Sequence, residues 1–201
     1  MTPRYLAVVG LGSNMAGSAG CVEGQLVRAC EQMEAEGTGR IVQRSRMFAT
    51  PPWGGVEQED FRNAVIAVET ALDPLAFLHA CQSIEQAAER VRELRWGPRT
   101  LDVDVLAMYR LSESSDATSD PIPVISDGQW GDELIIPHPY AHQRAFVLVP
   151  WMDLDCASDA RFPLHGQSVS YWLDTVREAD PKEVEDVTAV EALALGWGTR
   201  S

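Results

Sequence analysis

The chain has 201 residues, 45% of them hydrophobic, and a formal net charge of −14. That length and apolar content suit one domain with extensions, built on a real core. So acidic a surface repels nucleic acid and anionic lipid, and no apolar run reaches the ~18 residues of a membrane-spanning helix.

The elements read in chain order as follows. Residues Tyr5–Leu11 form a buried strand ending in glycine, and Gly10-Leu-Gly-Ser-Asn14 a turn. A helix runs from Val22 to about Glu36, with Leu26, Val27, Cys30 and Met33 on one side, and Gly37-Thr-Gly39 stops it. Ile41 to Ala49 is a strand, and Thr50-Pro-Pro-Trp-Gly-Gly55 a rigid loop. Phe61 to Thr70 is the next strand. Asp73-Pro74 starts a second helix, whose stripe is Phe77, Leu78, Cys81, Ile84 and Ala88. A strand from Thr100 to Met108 follows. The order β-α-β-β-α-β predicts an α+β, ferredoxin-like core: an antiparallel sheet with both helices on one face. Residues 110–132 form an insertion loop, polar and low in complexity over Ser112–Pro121, with Ile122–Ile125 and Trp130 apolar enough for part of it to dock. The domain is expected to span 1–156. Residues 157–201 form an acidic C-terminal extension, largely helical, packed on that domain or trailing it. One helix is expected around Ser168–Glu178.

Four scattered cysteines without a Cys-x-x-Cys fit reduced thiols. The start, Met-Thr-Pro-Arg-Tyr, lacks a secretory signal pattern, so a cytoplasmic protein is expected. Lys182 is the only lysine. A phosphate-binding loop of the Gly-x-x-x-x-Gly-Lys type is thereby excluded, and any phosphate chemistry must rely on arginine, the better bidentate fork.

The chemistry concentrates between Arg90 and Asp104. Asp102 and Asp104 alternate with Leu101, Val103 and Val105, so on a strand both carboxylates share one face and the apolar chains the other. Such a pair suits magnesium, with substrate phosphates completing the octahedron. An isolated Asp-x-Asp is more often a pair of strand-edge aspartates beside arginines. Here Arg90, Arg92, Arg95 and Arg99 straddle a Gly97-Pro98 turn, too many for simple complements to a helix dipole. Mobile arginines can deliver charge to oxygens that become more negative during phosphoryl transfer. His138 stands between two prolines in Ile136-Pro-His-Pro139; it either caps a turn or donates to a phosphate or ribose oxygen. His138-x-x-x-His142 is rejected as a metal pair, because Pro139 opposes a helix. Phe61 and Asn63 sit two apart beside the proline loop, a pairing that suits a flat heterocycle.

These pieces together resemble one family, 6-hydroxymethyl-7,8-dihydropterin pyrophosphokinase. The resemblance rests on Gly-Leu-Gly-Ser-Asn (10–14), Thr-Pro-Pro-Trp-Gly (50–54), Phe61-x-Asn63, Ile84-Glu85, Arg90-Val-Arg92, Arg95-Trp-Gly-Pro-Arg-Thr-Leu-Asp-Val-Asp104, Ile136-Pro-His-Pro139 and Arg144-x-Phe146. They occur in family order over residues 5 to 155. The resemblance implies transfer of the β,γ-pyrophosphate of ATP to the pterin hydroxymethyl group in folate biosynthesis, leaving AMP. It also implies two magnesium ions on Asp102 and Asp104. Phe61 and Phe146 would sandwich the pterin, with Asn63, Thr50, Pro51 and Trp53 at its edge. Glu85, Arg99, Val105, His138 and Arg144 would bind ATP, and Arg90 and Arg92 would sit on a closing loop. A monomer is implied, with small-molecule substrates and neither nucleic acid nor membrane as partner. The alternative is a catalytically altered paralogue that binds pterin or nucleotide. An RNA-binding sheet of the same fold would need exposed aromatics in a motif this chain lacks.

Overall fold

A computed structural model describes residues 3–52, 59–88, 100–112 and 120–198. The core strands are β1 (Arg4–Ser13), β2 (Arg40–Arg44), β3 (Met47–Thr50), β4 (Phe61–Thr70) and β5 (Asp102–Leu111), with helices α1 (Val22–Ala35) and α2 (Pro74–Ala87). The chain continues through β6 (Ile122–Pro123), α3 (Ala145–Trp151), α4 (Val169–Ala179), α5 (Pro181–Glu185) and β7 (Thr188–Val190). The sheet order is β6-β5-β1-β4-β3-β7, with β2 also on β4, and every pairing is antiparallel. The expected βαββαβ core is present. Asp73 caps α2 by accepting the Leu75 and Ala76 N–H groups, and Pro74 needs no donor there.

Two expectations need adjusting. The Gly10-x-Gly12 segment is not a turn but the interior of β1, which runs to Ser13. The single strand expected over Ile41–Ala49 is two, β2 and β3, both on β4. Between them the Ser45 N–H donates to the Val65 carbonyl, and the Ser45 hydroxyl accepts from the Val65 N–H. As its apolar residues suggest, part of the 110–132 insertion docks: Ile122 and Pro123 form β6 beside Tyr109 and Arg110, and Val124 and Trp130 pack on the α1/α2 core.

The sheet is buried on both faces. Ala7, Val9, Leu11, Ile66, Val68, Val103 and Val105 pack under α1 and α2. Val8, Val65, Ala67, Ala107 and Tyr109 pack under α3 and α4, with Leu148, Trp151, Val169 and Leu173. So α1 and α2 share one face as expected, while the C-terminal elements cover the other and make a third layer. A bulge permits this on β5. Val9 pairs with Val105 but Val8 pairs with Ala107, which leaves Leu106 as the extra residue. Asp102, Asp104, Leu106, Ala107 and Tyr109 therefore all address the α3 face, the last three beneath the helices and the two aspartates beyond them.

The C-terminal segment wraps the edge of the sheet. Its β7 pairs with β3, Ala49 opposite Thr188 and Met47 opposite Val190. Trp197 then enters the α1/α2 core, only 3% exposed. Its indole N–H donates to the Ser45 carbonyl at 3.0 Å, and the Arg44 guanidinium stands 5.4 Å from the ring centroid. Among the described residues no helix is long and apolar enough to cross a membrane.

Candidate active site

The site lies on the α3 face, at the end of the sheet that the helices leave bare. Asp102 and Asp104 are two apart on β5, Asp102 buried and Asp104 exposed. Behind them Leu101, Val103 and Val105 are all buried against the α1/α2 layer. The Val103 N–H donates to Glu85 Oε1 of α2 at 2.9 Å, which fixes the strand between the two carboxylates. Glu85 is itself buried, so the structure sets it behind the strand. Val105 likewise turns its side chain to the core, leaving its main chain as what it can offer a ligand.

The floor beside the aspartates is glycine. Gly12 pairs with Asp102 on one side and Asn63 on the other, and Gly10 pairs with Asp104 and Val65. A Cβ on Gly12 would come within 3.1 Å of Asn63 Oδ1 and 3.9 Å of the Asp102 Cβ. Gly12 thus leaves a shallow trough between Asp102 and the Asn63 amide, while the place of a Gly10 side chain is taken by Leu106. Two strand spacings, about 10 Å between backbones, separate Asp102 from Asn63.

Across the trough, the Asn63 side-chain N–H donates to Thr50 Oγ1 at 2.7 Å, both residues buried. Phe61 pairs with Thr50 in register and shares the face of Asn63. A cleft of about 350 Å³ opens alongside, lined by Thr50, Pro51, Pro52 and Phe146 from the body, and by Asp180, Lys182, Glu183, Asp186 and Val187 from the C-terminal segment.

On the other flank the His138 N–H donates to the Leu106 carbonyl at 2.8 Å, attaching the Pro-His-Pro segment to β5 at its bulge. His138 Nδ1 accepts from the Tyr140 N–H at 3.1 Å. Burial, then the nearby Arg144 and His165 charges, lower the His138 pKa to about 4, against an opposing backbone hydrogen bond. The ring is therefore neutral at pH 7 with its proton on Nε2, a donor ready for an anionic oxygen. The Arg144 guanidinium lies 5.5 Å from the Tyr140 ring centroid and 5.7 Å from that of Phe146, so its plane is held by aromatic faces. His142 instead packs edge-on to His165 and Trp172.

The sign of the His138 effect is set by a folded pKa below the ordinary 6.5. As pH falls from 6.5 towards 4, the unfolded chain takes up the proton first. Stability from the neutral ring is complete above that window and is lost through it. Imidazole NMR is expected to show His138 titrating well below pH 6; a midpoint at or above 6.5 would contradict the neutral, Nε2-protonated assignment.

Two further residues moor the surrounding loops. Ser13 Oγ donates to the Thr100 carbonyl at 2.7 Å, and the Asn14 side-chain amide to the Glu59 carbonyl at 3.2 Å. They hold the main chain at Thr100 and Glu59 against the end of β1. Trp53, Arg90, Arg92, Arg95 and Arg99 lie outside the described residues. Of the rest, the structure gathers Asp102, Asp104, Thr50, Pro51, Phe61, Asn63, His138, Arg144 and Phe146 onto one face and flank. Ser13, Asn14, Gly10, Gly12 and Glu183 gained no site role from sequence reasoning. Gly-x-Gly-Ser-Asn was the available signal for the first four; none marked Glu183.

The donor set fits a hard divalent cation in part. Two carboxylates on one strand supply oxygen, the ligand type magnesium takes. Among the described residues no group of three or more His, Cys, Asp or Glu could hold a metal alone. The remaining oxygens would come from substrate and water. Cys81 lies in the α1/α2 core on the other face of the sheet, where burial first, then the charges of Glu85 and Asp104, push its thiol up to about 12.

Comparison with known proteins places this arrangement. The sequence profile of the 7,8-dihydro-6-hydroxymethylpterin-pyrophosphokinase (HPPK) family matches residues 8–156. A 2-amino-4-hydroxy-6-hydroxymethyldihydropteridine pyrophosphokinase of Methylorubrum extorquens is 38% identical over 187 residues, covering 93% of this chain and 99% of that one. The enzyme of the same name from Mycobacterium bovis is 45% identical over 123 residues, covering 60% of this chain and 62% of its own. The crystal structure of Plasmodium falciparum wild-type HPPK-DHPS with STZ-DHP superposes with a TM-score of 0.62 at 14% identity, over 94% of this chain and 47% of that one. This last likeness is one of fold.

Proposed function

The chain belongs to the 7,8-dihydro-6-hydroxymethylpterin-pyrophosphokinase family, and from that premise we propose how its residues share the reaction. It is a pyrophosphokinase of folate biosynthesis whose co-substrate is ATP. The pterin hydroxyl oxygen bonds to the β-phosphorus of ATP. The bond from that phosphorus to the α,β-bridging oxygen breaks, AMP leaves with the oxygen, and the hydroxyl proton passes to solvent.

One observation carries the assignment of roles: Asp102, Gly12 and Asn63 stand in a row on one face, with bare backbone between carboxylate and amide. The pterin edge hydrogen-bonds Asn63 and the main chain beside Thr50 and Trp53. Phe61 and Phe146 cover its two faces, and Pro51 closes the rim. The hydroxymethyl group then points along the glycine trough towards Asp102 and Asp104. Those carboxylates would hold two magnesium ions, whose charge would offset that of the phosphates. His138 Nε2–H donates to a phosphate or ribose oxygen, and Arg144 pairs with the polyphosphate. Glu85 supports the nucleotide side by fixing Val103, and the main chain of Val105 faces the nucleotide. Arg99 contacts the nucleotide, while Arg90 and Arg92 bring charge to the transferring group. Positioning and charge neutralisation carry this reaction; no general base is assigned. The resemblance also supports a monomer acting in the cytoplasm.

Incubation with ATP, magnesium and 6-hydroxymethyl-7,8-dihydropterin is expected to give AMP in step with the pterin diphosphate. Pterin binding by calorimetry without AMP formation would instead identify a binding paralogue.

A further inference from the structure

The cleft beside Thr50 and Phe146 is half built from the C-terminal segment. Asp180, Lys182, Glu183, Asp186 and Val187 form one wall of it. This wall is moored at several points. Val184 and Val187 pack on the α3/α4 core. β7 pairs with β3, the strand that ends at Thr50. Asp180 accepts the N–H groups of Lys182 and Glu183 and so aims the start of α5.

A hydrogen bond crosses from this wall to the body: the Ala145 N–H donates to Glu183 Oε1 at 3.1 Å. Ala145 begins α3 and immediately precedes Phe146. No side chain of the α3 N-cap, Arg144, caps the helix, so the Glu183 carboxylate takes that place. It is satisfied at a distance of 38 residues in sequence. Charge-assisted acceptors of this kind are among the stronger hydrogen bonds, and a carboxylate also suits the positive end of a helix. Where α3 starts fixes the direction in which Phe146 leaves the main chain.

We propose that Glu183 is a positioning residue for the pterin subsite: by accepting the Ala145 N–H it sets Phe146 against the substrate ring, making the C-terminal segment the outer wall of the pterin cleft. This rests on Phe146 contacting the pterin, as assigned above. Glu183 touches no reacting atom and acts on ground-state binding of one substrate.

The test is steady-state kinetics on the full chain. Glu183→Ala is expected to raise KM for the dihydropterin about tenfold, the scale of a lost charged hydrogen bond that displaces a contact group. KM for ATP should stay within about twofold, since only uniform binding of the pterin is removed. Glu183→Gln keeps an oxygen acceptor and should restore the pterin KM to within about twofold. Asp180→Ala frees the start of α5 and should shift the same constant about threefold, as loss of an N-cap does; it serves if Glu183→Ala does not fold. A loss confined to kcat, equal effects on both substrates, or no change in either alanine variant overturns the proposal. Phe146→Ala separates the two ideas. If it weakens the pterin and the other variants do not, the positioning role fails alone. If it too leaves pterin affinity unchanged, the subsite assignment fails with it.

Discussion

Replacing both Asp102 and Asp104 with asparagine is expected to cut turnover by about a thousandfold or more while leaving the dihydropterin bound. The magnitude follows from the several kcal/mol that metal-borne charge contributes to a phosphoryl-type transition state. The selectivity follows from position. The pair sits about two strand spacings from Asn63, and its side chains face away from the buried Leu101, Val103 and Val105. Asparagine keeps the shape and the strand, so the fold should persist, but it removes the anionic oxygens that a divalent cation needs. Calorimetric titration should show magnesium-dependent binding of a non-hydrolysable ATP analogue lost and pterin binding kept. Undiminished turnover in the double variant would rule out the pair as the metal platform.

Trp197→Ala is expected to destabilise the protein by about 3–5 kcal/mol, the usual cost of emptying a buried aromatic site. Trp197 is the last described residue but one, where fraying is the ordinary expectation. Instead it fills the α1/α2 core beside Ala192, spends its N–H on the Ser45 carbonyl, and lies beneath Arg44. Truncation opens a cavity, strands the Ser45 acceptor and removes the anchor beyond β7. The midpoint of urea unfolding should fall accordingly. A shift worth less than about 1 kcal/mol, the scale of an ordinary surface substitution, would mean that the tail is an ornament on an independent domain.

The parts of the fold that could be read from sequence are those whose own pattern declared them. Phe61–Thr70 holds a short, β-branched-rich apolar run, Ala64–Val68, and is a strand over that span, and the stripe from Phe77 to Ile84 is the buried face of α2. α3 has no such declaration. Phe146-Val-Leu-Val149 is short and β-branched, Pro150 argues against a helix, and only packing of Leu148 and Trp151 on the sheet decides the matter. β7 is three residues long, and its strand character comes from β3, about 140 positions away.

The site divides in the same way. Asp-x-Asp and Phe-x-Asn could be placed because both rest on the two-residue period of a strand. Gly10 and Gly12 misled for a definite reason. Glycine ordinarily signals a turn, whereas here it is selected for what it omits, a side chain between Asp102 and Asn63. Glu183 carried no local signal, because its partner is 38 residues away and is a main-chain N–H.

The extra residue at Leu106 gives β5 something like a change of reading frame. Upstream of it, odd-numbered residues face the α1/α2 layer; downstream, even-numbered Met108 does. Excising one residue there would not merely shorten the strand. It would leave Asp102 and Asp104 in phase and exchange Tyr109 and Met108 between the two cores, or keep the cores and turn both carboxylates into the hydrophobic layer. Length variation in this strand is therefore barred from either direction, and the chain's freedom to gain or lose residues is displaced beyond Leu111, into the insertion that returns as β6.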